Sequence, residues 1–455
     1  MRFLSATLAA LVVAGSLAAV EPPAGFTALF NGRDLTGWRG GTTYDHRKLL
    51  DLPAAEREAQ IAKWTASMLE NNPKTGRPRW HVERDELVND GTGAYASTLR
   101  DYGDFELRLD YRTVAGADSG IYLRGVPQIQ IWDTNQPDQA KRPDRRPRLG
   151  SGGLFNNPPG SPGRDPLVLA DRPFGEWNSV RAIMVGSRVS VWLNGQLVVD
   201  HALMHNYYDA KLPEAQRRPV PAKGPIQLQT HGGEIRWRNV FVREISTEEA
   251  NTLLASRGRD GFKSIFNGRD LAGWAGAVDS VNVRDGAIVW KSGKAGVPYW
   301  NRELGDFQVR LLFKVPPAGN NGLAIRYPGT GRAAYDGMTE LQVIDENYNA
   351  AKKLPPEKHI DARQHHGSIY GMVAAARGYQ HPVGAWNFQD VTVKGPRITV
   401  ELNGTVILDA DVTQIDLTTV MGKTKHPGLL RTRGFFGFAG HNDPVEFKDI
   451  SIREL

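Results

Sequence analysis

Two histidines at matching places in the chain are the residues best suited to moving a proton. His231 ends the run Gly224-Pro-Ile-Gln-Leu-Gln-Thr-His, and His441 ends Gly434-Phe-Phe-Gly-Phe-Ala-Gly-His. The period of two along a strand puts Gln227 and Gln229 on the side of His231, with Ile226 and Leu228 on the other. The stretch Asp118–Asp133 divides the same way. Ile121, Leu123, Ile129 and Ile131 form an oily face, and Tyr122, Arg124, Gln128, Gln130 and Trp132 a polar one. Amides and a guanidinium offer paired donors and acceptors to hydroxyl groups, and aromatic faces stack on sugar C–H surfaces. An ordinary solvated strand face carries Thr, Lys and Glu instead, so this set predicts a face that binds a polyhydroxylated ligand.

A thinner second set follows. Arg326 stands for Arg124, Gln342 for Gln130 and Asp345 for Asp133, while Glu340 takes the place of Gln128 and brings a carboxylate. Gly437 and Ala439 replace Gln227 and Gln229, but His441 remains. His365–Gly371 adds two histidines, His366 among them, and Tyr370. Glu340 with His441 makes a candidate base and acid pair. Plain hydrogen bonding within a sheet explains them equally well. There is no Gly-rich phosphate loop after a strand, no Gly-x-Ser-x-Gly elbow and no His-Glu-x-x-His. Asp133, Asp138 and Asp144 suggest a structural calcium ion but match no EF-hand spacing. Neither set has the closely spaced acidic pair of a retaining glycosidase, which disfavours conventional glycoside hydrolysis.

The elements that position these residues are built twice. Gly25–Trp38, G-F-T-A-L-F-N-G-R-D-L-T-G-W, returns at Gly261–Trp274 as G-F-K-S-I-F-N-G-R-D-L-A-G-W, and Gly103–Leu109 returns at Gly305–Leu311. Gly175-Glu-Trp-Asn178 returns as Gly384-Ala-Trp-Asn387, and Gly224–Ile245 as Gly434–Leu455. Each unit is far longer than a solenoid repeat, so these are two whole domains in tandem. Asn194-Gly195 and Asn403-Gly404 each sit between β-rich runs and predict type I′ hairpins. Roughly ten to twelve short strands per copy, with turn signals between them, predict an all-β fold of two antiparallel jelly-roll sandwiches. The first copy is longer by about 34 residues. Within that excess Pro53–Glu70 reads as a helix, with Ile61, Trp64 and Met68 at helical spacing, and is expected to cap the first sandwich.

Length and composition set the frame. The chain has 455 residues, 40% of them hydrophobic, enough for two cores. With no cysteine, disulfides, thiol nucleophiles and Cys-ligated zinc are excluded. Arg2 followed by the apolar run Phe3–Leu17 reads as an export signal over residues 1–18, too short to span a bilayer comfortably. A periplasmic or secreted protein is therefore expected, with no membrane anchor once the signal is removed. The expected layout is a first domain over 19–245, a linker over 246–260 with a short helix at Thr247–Ala255, and a second domain over 261–455. A formal charge of +6 spread over this length is weak evidence for an anionic partner. The Arg/Pro-rich run Arg142–Arg148 reads as a solvated loop, and no nucleic-acid partner is expected.

Taken together, F-N-G-R-D-L-x-G-W, G-D-F-E-L, D-S-G-I-Y-L-R-G with Q-I-Q-I-W-D, G-E-W-N, L-N-G and G-P-I-Q-L-Q-x-H-G resemble the 3-keto-disaccharide hydrolase domain family over the whole first copy. The second copy resembles a more diverged member. The resemblance implies a concanavalin-like jelly roll and a carbohydrate substrate already oxidised at C3. A C3 ketone acidifies the C2 hydrogen, so one base can remove it, the C1 substituent leaves by β-elimination, and water adds. Such a site needs a base and a group that steadies the enolate: Arg, His or a divalent metal ion. The resemblance implies Asp133 or His231 as base with Arg124 in the first copy, and Glu340 or His441 with Arg326 in the second. No cofactor is expected from any motif. The competing readings are a carbohydrate-binding protein without catalysis and a structural module of a surface complex.

Overall fold

The structure is a computed structural model that describes residues 20–137, 141–421 and 425–455. The proposed export signal lies outside these residues. Among them, no helix is long and apolar enough to cross a membrane.

Alternating apolar and polar residues fold each copy into two antiparallel sheets that share one oily core. In the first copy an eight-stranded sheet runs, in spatial order, Gln196–Leu203, Arg188–Leu193, Asn178–Val185, Phe105–Thr113, Ile235–Glu244, Glu86–Asn89 and Trp80–Glu83, with Thr27–Ala28 paired to Ile235–Glu244. A five-stranded sheet faces it: Trp38–Gly41, Tyr95–Thr98, Gln227–Leu228, Asp118–Leu123 and Val126–Trp132. Ile121, Leu123, Ile129, Ile131, Ile226 and Leu228 all enter the core between them. The second copy repeats both sheets. Its five-stranded sheet is Trp274–Gly276, Pro298–Trp300, Phe435–Phe438, Asn320–Tyr327 and Thr339–Ile344. The fold is therefore all-β, a pair of jelly-roll-like sandwiches.

Both Asn-Gly hairpins form as predicted, with φ of 51° and 81° at Asn194 and Gly195 and 47° and 82° at Asn403 and Gly404. The helix predicted at Pro53–Glu70 spans Ala54–Leu69, preceded by a short helix at His46–Asp51. The longer helix packs on the edge strand Trp38–Gly41. A Cβ added at Gly40 would lie 2.1 Å from the carbonyl carbon of Trp64, so only glycine allows this contact. Arg47 latches the shorter helix down, bridging Asp45 at 2.7 Å and Asp209 at 3.0 Å.

The linker forms a helix, Thr247–Ser256, capped by Ser246, whose hydroxyl accepts from the Glu249 amide at 3.2 Å. Its Ala250 and Leu254 join Ile183, Val185, Ile245 and Phe388 in a small core between the copies. Buried ions close the same seam. Arg257 bonds Asp390 at 3.0 Å and Glu401 at 2.8 Å, and Arg188 also reaches Glu401.

Arg124 does not lie on the polar face. A register irregularity between Ile121 and Leu123 ends the alternation, and Arg124 takes φ of 53°. Its guanidinium turns inward, donating to the carbonyls of Gly103 and Pro221 and to Asp104 at 2.6 Å. Arg326, at φ of 46°, repeats this with Gly305, Gly395, Arg431 and Asp306. Both arginines pin strand ends and are buried there, away from the polar face.

Replacing Arg124 by Met strands Asp104 and two carbonyls, and is expected to lower unfolding free energy by about 3 kcal/mol in a urea titration. Gly40→Ala is expected to displace the long helix, which limited proteolysis within residues 46–69 would detect as faster cleavage than in the unmodified protein.

Candidate functional site

The polar face of the first five-stranded sheet carries the residues the alternation predicts: Tyr122, Gln128, Gln130, Trp132, Gln227 and Gln229. All six are buried. Gln128 lies across the neighbouring strand, where a Cβ on Gly120 would meet its amide oxygen at 2.4 Å. Gln128 donates to the Gln130 amide oxygen at 2.6 Å, and Gln130 donates to Asp118 at 2.8 Å. Gln227 donates to Ser97 at 2.6 Å. The amide oxygens of Gln128, Gln227 and Gln229 are left with no partner. Three buried acceptors without donors suit ligand hydroxyl groups, since an unpaired buried acceptor otherwise costs roughly 1–3 kcal/mol.

The insertion covers part of this face. Thr43, just ahead of the short helix, has its hydroxyl 2.7 Å from the Tyr122 hydroxyl and 3.0 Å from that of Tyr95. The expected cap thus both packs on the sheet edge and reaches the polar side chains.

The amide chain ends at an ionic cluster. Asp118 holds His231 Nδ1 at 3.1 Å and Arg145 Nη2 at 2.6 Å on the same carboxylate oxygen. The hydrogen bond to Asp118 raises the pKa of His231 above the ordinary histidine value. The His231 side chain is 57% exposed, so its Nε2 edge is accessible while Asp118 stays at 12%. Arg145 stacks over Trp132 with 5.6 Å from guanidinium carbon to ring centre. Sequence reasoning missed Asp118 and Arg145. Asp118 heads the strand whose polar face was recognised, and its position in the alternation, level with Trp132, was the available signal. Arg145 had none, because it arrives from the run Arg142–Arg148, which is no plain solvated loop: Arg142 pairs with Asp144 and Arg146 with Asp165.

The second copy brings together a different pair. His441 Nε2 lies 3.2 Å from Glu340, which raises the histidine pKa, and Glu340 is buried over Gly322. Gln342 donates to Asn320 at 2.9 Å, and Asn320 stands where the first copy has Asp118.

Other predicted residues are placed elsewhere. Asp133 is a turn clamp, its carboxylate accepting from the amides of Gly116 at 2.9 Å and Asn135 at 2.8 Å. Asp345 does the same for Ala318 and Asn347, both at 2.8 Å. Neither has an oxygen placed to act as a base, and Asp345 does not join the polar face. His366 is buried inside the second sandwich, stacked on Phe313 at 4.7 Å, and burial pushes its pKa down to about 3. Tyr370 accepts from Gln364 at 3.1 Å. The suggested calcium set is not assembled either: Asp133 serves amides, Asp144 pairs with Arg142 and Arg164, and Asp138 lies outside the described residues. Among the described residues, no three His, Asp or Glu side chains group as a metal site.

The chain is similar to carbohydrate-active proteins. A 3-keto-disaccharide hydrolase of Bacteroides thetaiotaomicron is 22% identical over 248 residues, 47% of this chain and 86% of the relative. A candidate glycosyl hydrolase of Parabacteroides distasonis, solved by crystallography, is 25% identical, with 46% of this chain and 98% of that one aligned at a TM-score of 0.38. A carbohydrate-binding module of Bacillus subtilis aligns over 40% of this chain and 96% of its own at 14% identity and a TM-score of 0.25. The model of the 3-keto-alpha-glucoside-1,2-lyase-like domain matches residues 25–243 and again 261–453, and the chain belongs to that family in both halves.

Proposed function

We propose that this protein is exported to the periplasm or beyond and cleaves 3-keto glucosides, with the first sandwich as its principal site. The observation that carries this reading is the Asp118–His231 pair at the rim of an amide-lined face. Asp118 accepts from Nδ1–H, which fixes the tautomer and leaves Nε2 as the acceptor for a proton. His231 Nε2 removes the C2 hydrogen made acidic by the adjacent ketone. The C1 substituent leaves by β-elimination, and water then adds to the unsaturated sugar. Gln128, Gln227 and Gln229 hold ring hydroxyls through their free amide oxygens, and Trp132 offers an aromatic edge to the sugar.

The second reading, carbohydrate binding without catalysis, is favoured by those same three amide oxygens, which need only a ligand. Incubation with a 3-keto disaccharide and with its unoxidised parent separates the two. Release of monosaccharide from the keto sugar supports cleavage, whereas tight binding with no release from either leaves only binding.

His231→Ala is expected to slow cleavage by roughly 10²–10⁴-fold, the usual weight of a general base. Because Asp118 raises the His231 pKa, and the base must be neutral, kcat/KM should climb with pH through a midpoint above the ordinary 6.5. Asp118→Asn should bring that midpoint down toward 6.5 and lower the plateau, since the orienting carboxylate is gone. A midpoint unmoved by Asp118→Asn would remove His231 from the role of base. Glu340→Gln, in contrast, is expected to change the overall rate less than twofold, as measured by initial rates under the same conditions.

A further inference from the structure

We propose that Arg145 is a catalytic residue of the first sandwich, donating to the C3 oxygen as negative charge gathers there. This rests on the elimination chemistry proposed above. Two of its features set it apart from a structural ion. Only Nη2 is engaged, with Asp118 at 2.6 Å and Gln136 at 3.5 Å. Nε is buried and has no partner, and no hydrogen bond of Nη1 is formed among the described residues. A guanidinium is planar and always charged, so the Nη1–H groups, beside the Nη2 that Asp118 holds, are left to meet an oxyanion.

Its position matches the reaction. One oxygen of Asp118 holds both Arg145 and His231, so the cation and the base approach the same substrate from neighbouring points. The atoms they would serve are neighbours too: the C2 hydrogen and the oxygen on C3. The supports are rigid. Arg145 rests on Trp132, whose indole donates to the Gly150 carbonyl at 2.9 Å and packs edge-on against Phe155 at 5.0 Å.

The electron flow closes. His231 takes the proton from C2, and the electrons of that C–H bond form C2=C3 while the carbonyl pair moves to O3, facing Arg145. As the C3 carbonyl re-forms, C1=C2 is made and the C1–O bond breaks. The leaving oxygen keeps the bonding pair and takes the proton from the imidazolium.

Exchange of the C2 hydrogen of methyl 3-keto-α-glucoside in deuterated water, followed by NMR on the full chain, reads proton removal apart from bond cleavage. Arg145→Ala is expected to slow exchange by roughly 10²–10³-fold, the usual weight of an oxyanion donor. KM for cleavage should change only a few-fold and the thermal midpoint little. Arg145→Lys, which keeps the charge but loses the planar set of donors, should recover only a minor part, and it carries the test if the alanine variant does not fold. Exchange within twofold of the unmodified protein in either Arg145 variant, with His231→Ala silent, would overturn the role of Arg145 and leave the base intact. Undiminished exchange in His231→Ala, or none in the unmodified protein, would instead overturn the elimination reading and this inference with it.

Discussion

One carboxylate, Asp118, fixes the arrangement of the whole polar face. It can only accept hydrogen bonds, so the Gln130 amide must turn its NH2 toward it. The Gln130 oxygen then faces Gln128, which must in turn present its own NH2. By that chain the last oxygen, on Gln128, points away with nothing to accept from. The same carboxylate orients His231 and holds Arg145. The amide face and the orientation of the histidine are thus set by one charge, and both change together if that charge is lost.

The duplication shows what happens when it moves. Asn320 occupies the place of Asp118, and the carboxylate has shifted to Glu340, directly over Gly322. The histidine follows it, now bonded through Nε2 instead of Nδ1. The nitrogen that faces outward is therefore a different one, and the geometry of any proton transfer differs with it. The second face has also lost its amides at Gly437 and Ala439, and no described residue brings it a counterpart of Arg145. The seam between the copies is tightly built, with the Thr247–Ser256 helix wedged in and Arg257 shared by two carboxylates, so the second sandwich still supports the first mechanically.

Much of this was legible in the sequence, because strand alternation is a local rule. The oily and polar faces of Asp118–Asp133, the Asn-Gly hairpins, the helix after Pro53 and the linker helix all follow from neighbours within a few residues. The failures were at places where alternation stops. Arg124 was assigned to the polar face by counting twos, but the chain breaks register just before it, and a residue at positive φ points elsewhere. Asp133 fails similarly, sitting one step past its strand, where short polar side chains cap turns. His366, beside a second histidine, reads as a substrate-binding residue, and nothing local says that it will be stacked on Phe313 in a core. Arg145 is the reverse case. It comes from a loop whose composition looks solvated, and only the fold carries it to Trp132.

The buried amide oxygens bear on why the insertion belongs to the first copy alone. Covering polar groups without pairing them opposes folding, and the face under Thr43 includes several. A sandwich selected only for stability would put apolar or small residues there, as the second copy does with Ala324, Gly437 and Ala439. The first copy instead keeps Tyr122, Gln227 and Gln229 and brings in a helical segment, latched through Arg47, to exclude water beside them. Exclusion of water strengthens each hydrogen bond formed there. The unpaired acceptors of Gln227 and Gln229 and the cap thus go together in the first copy, while the second, without the helical segment, has Gly437 and Ala439 at those two places.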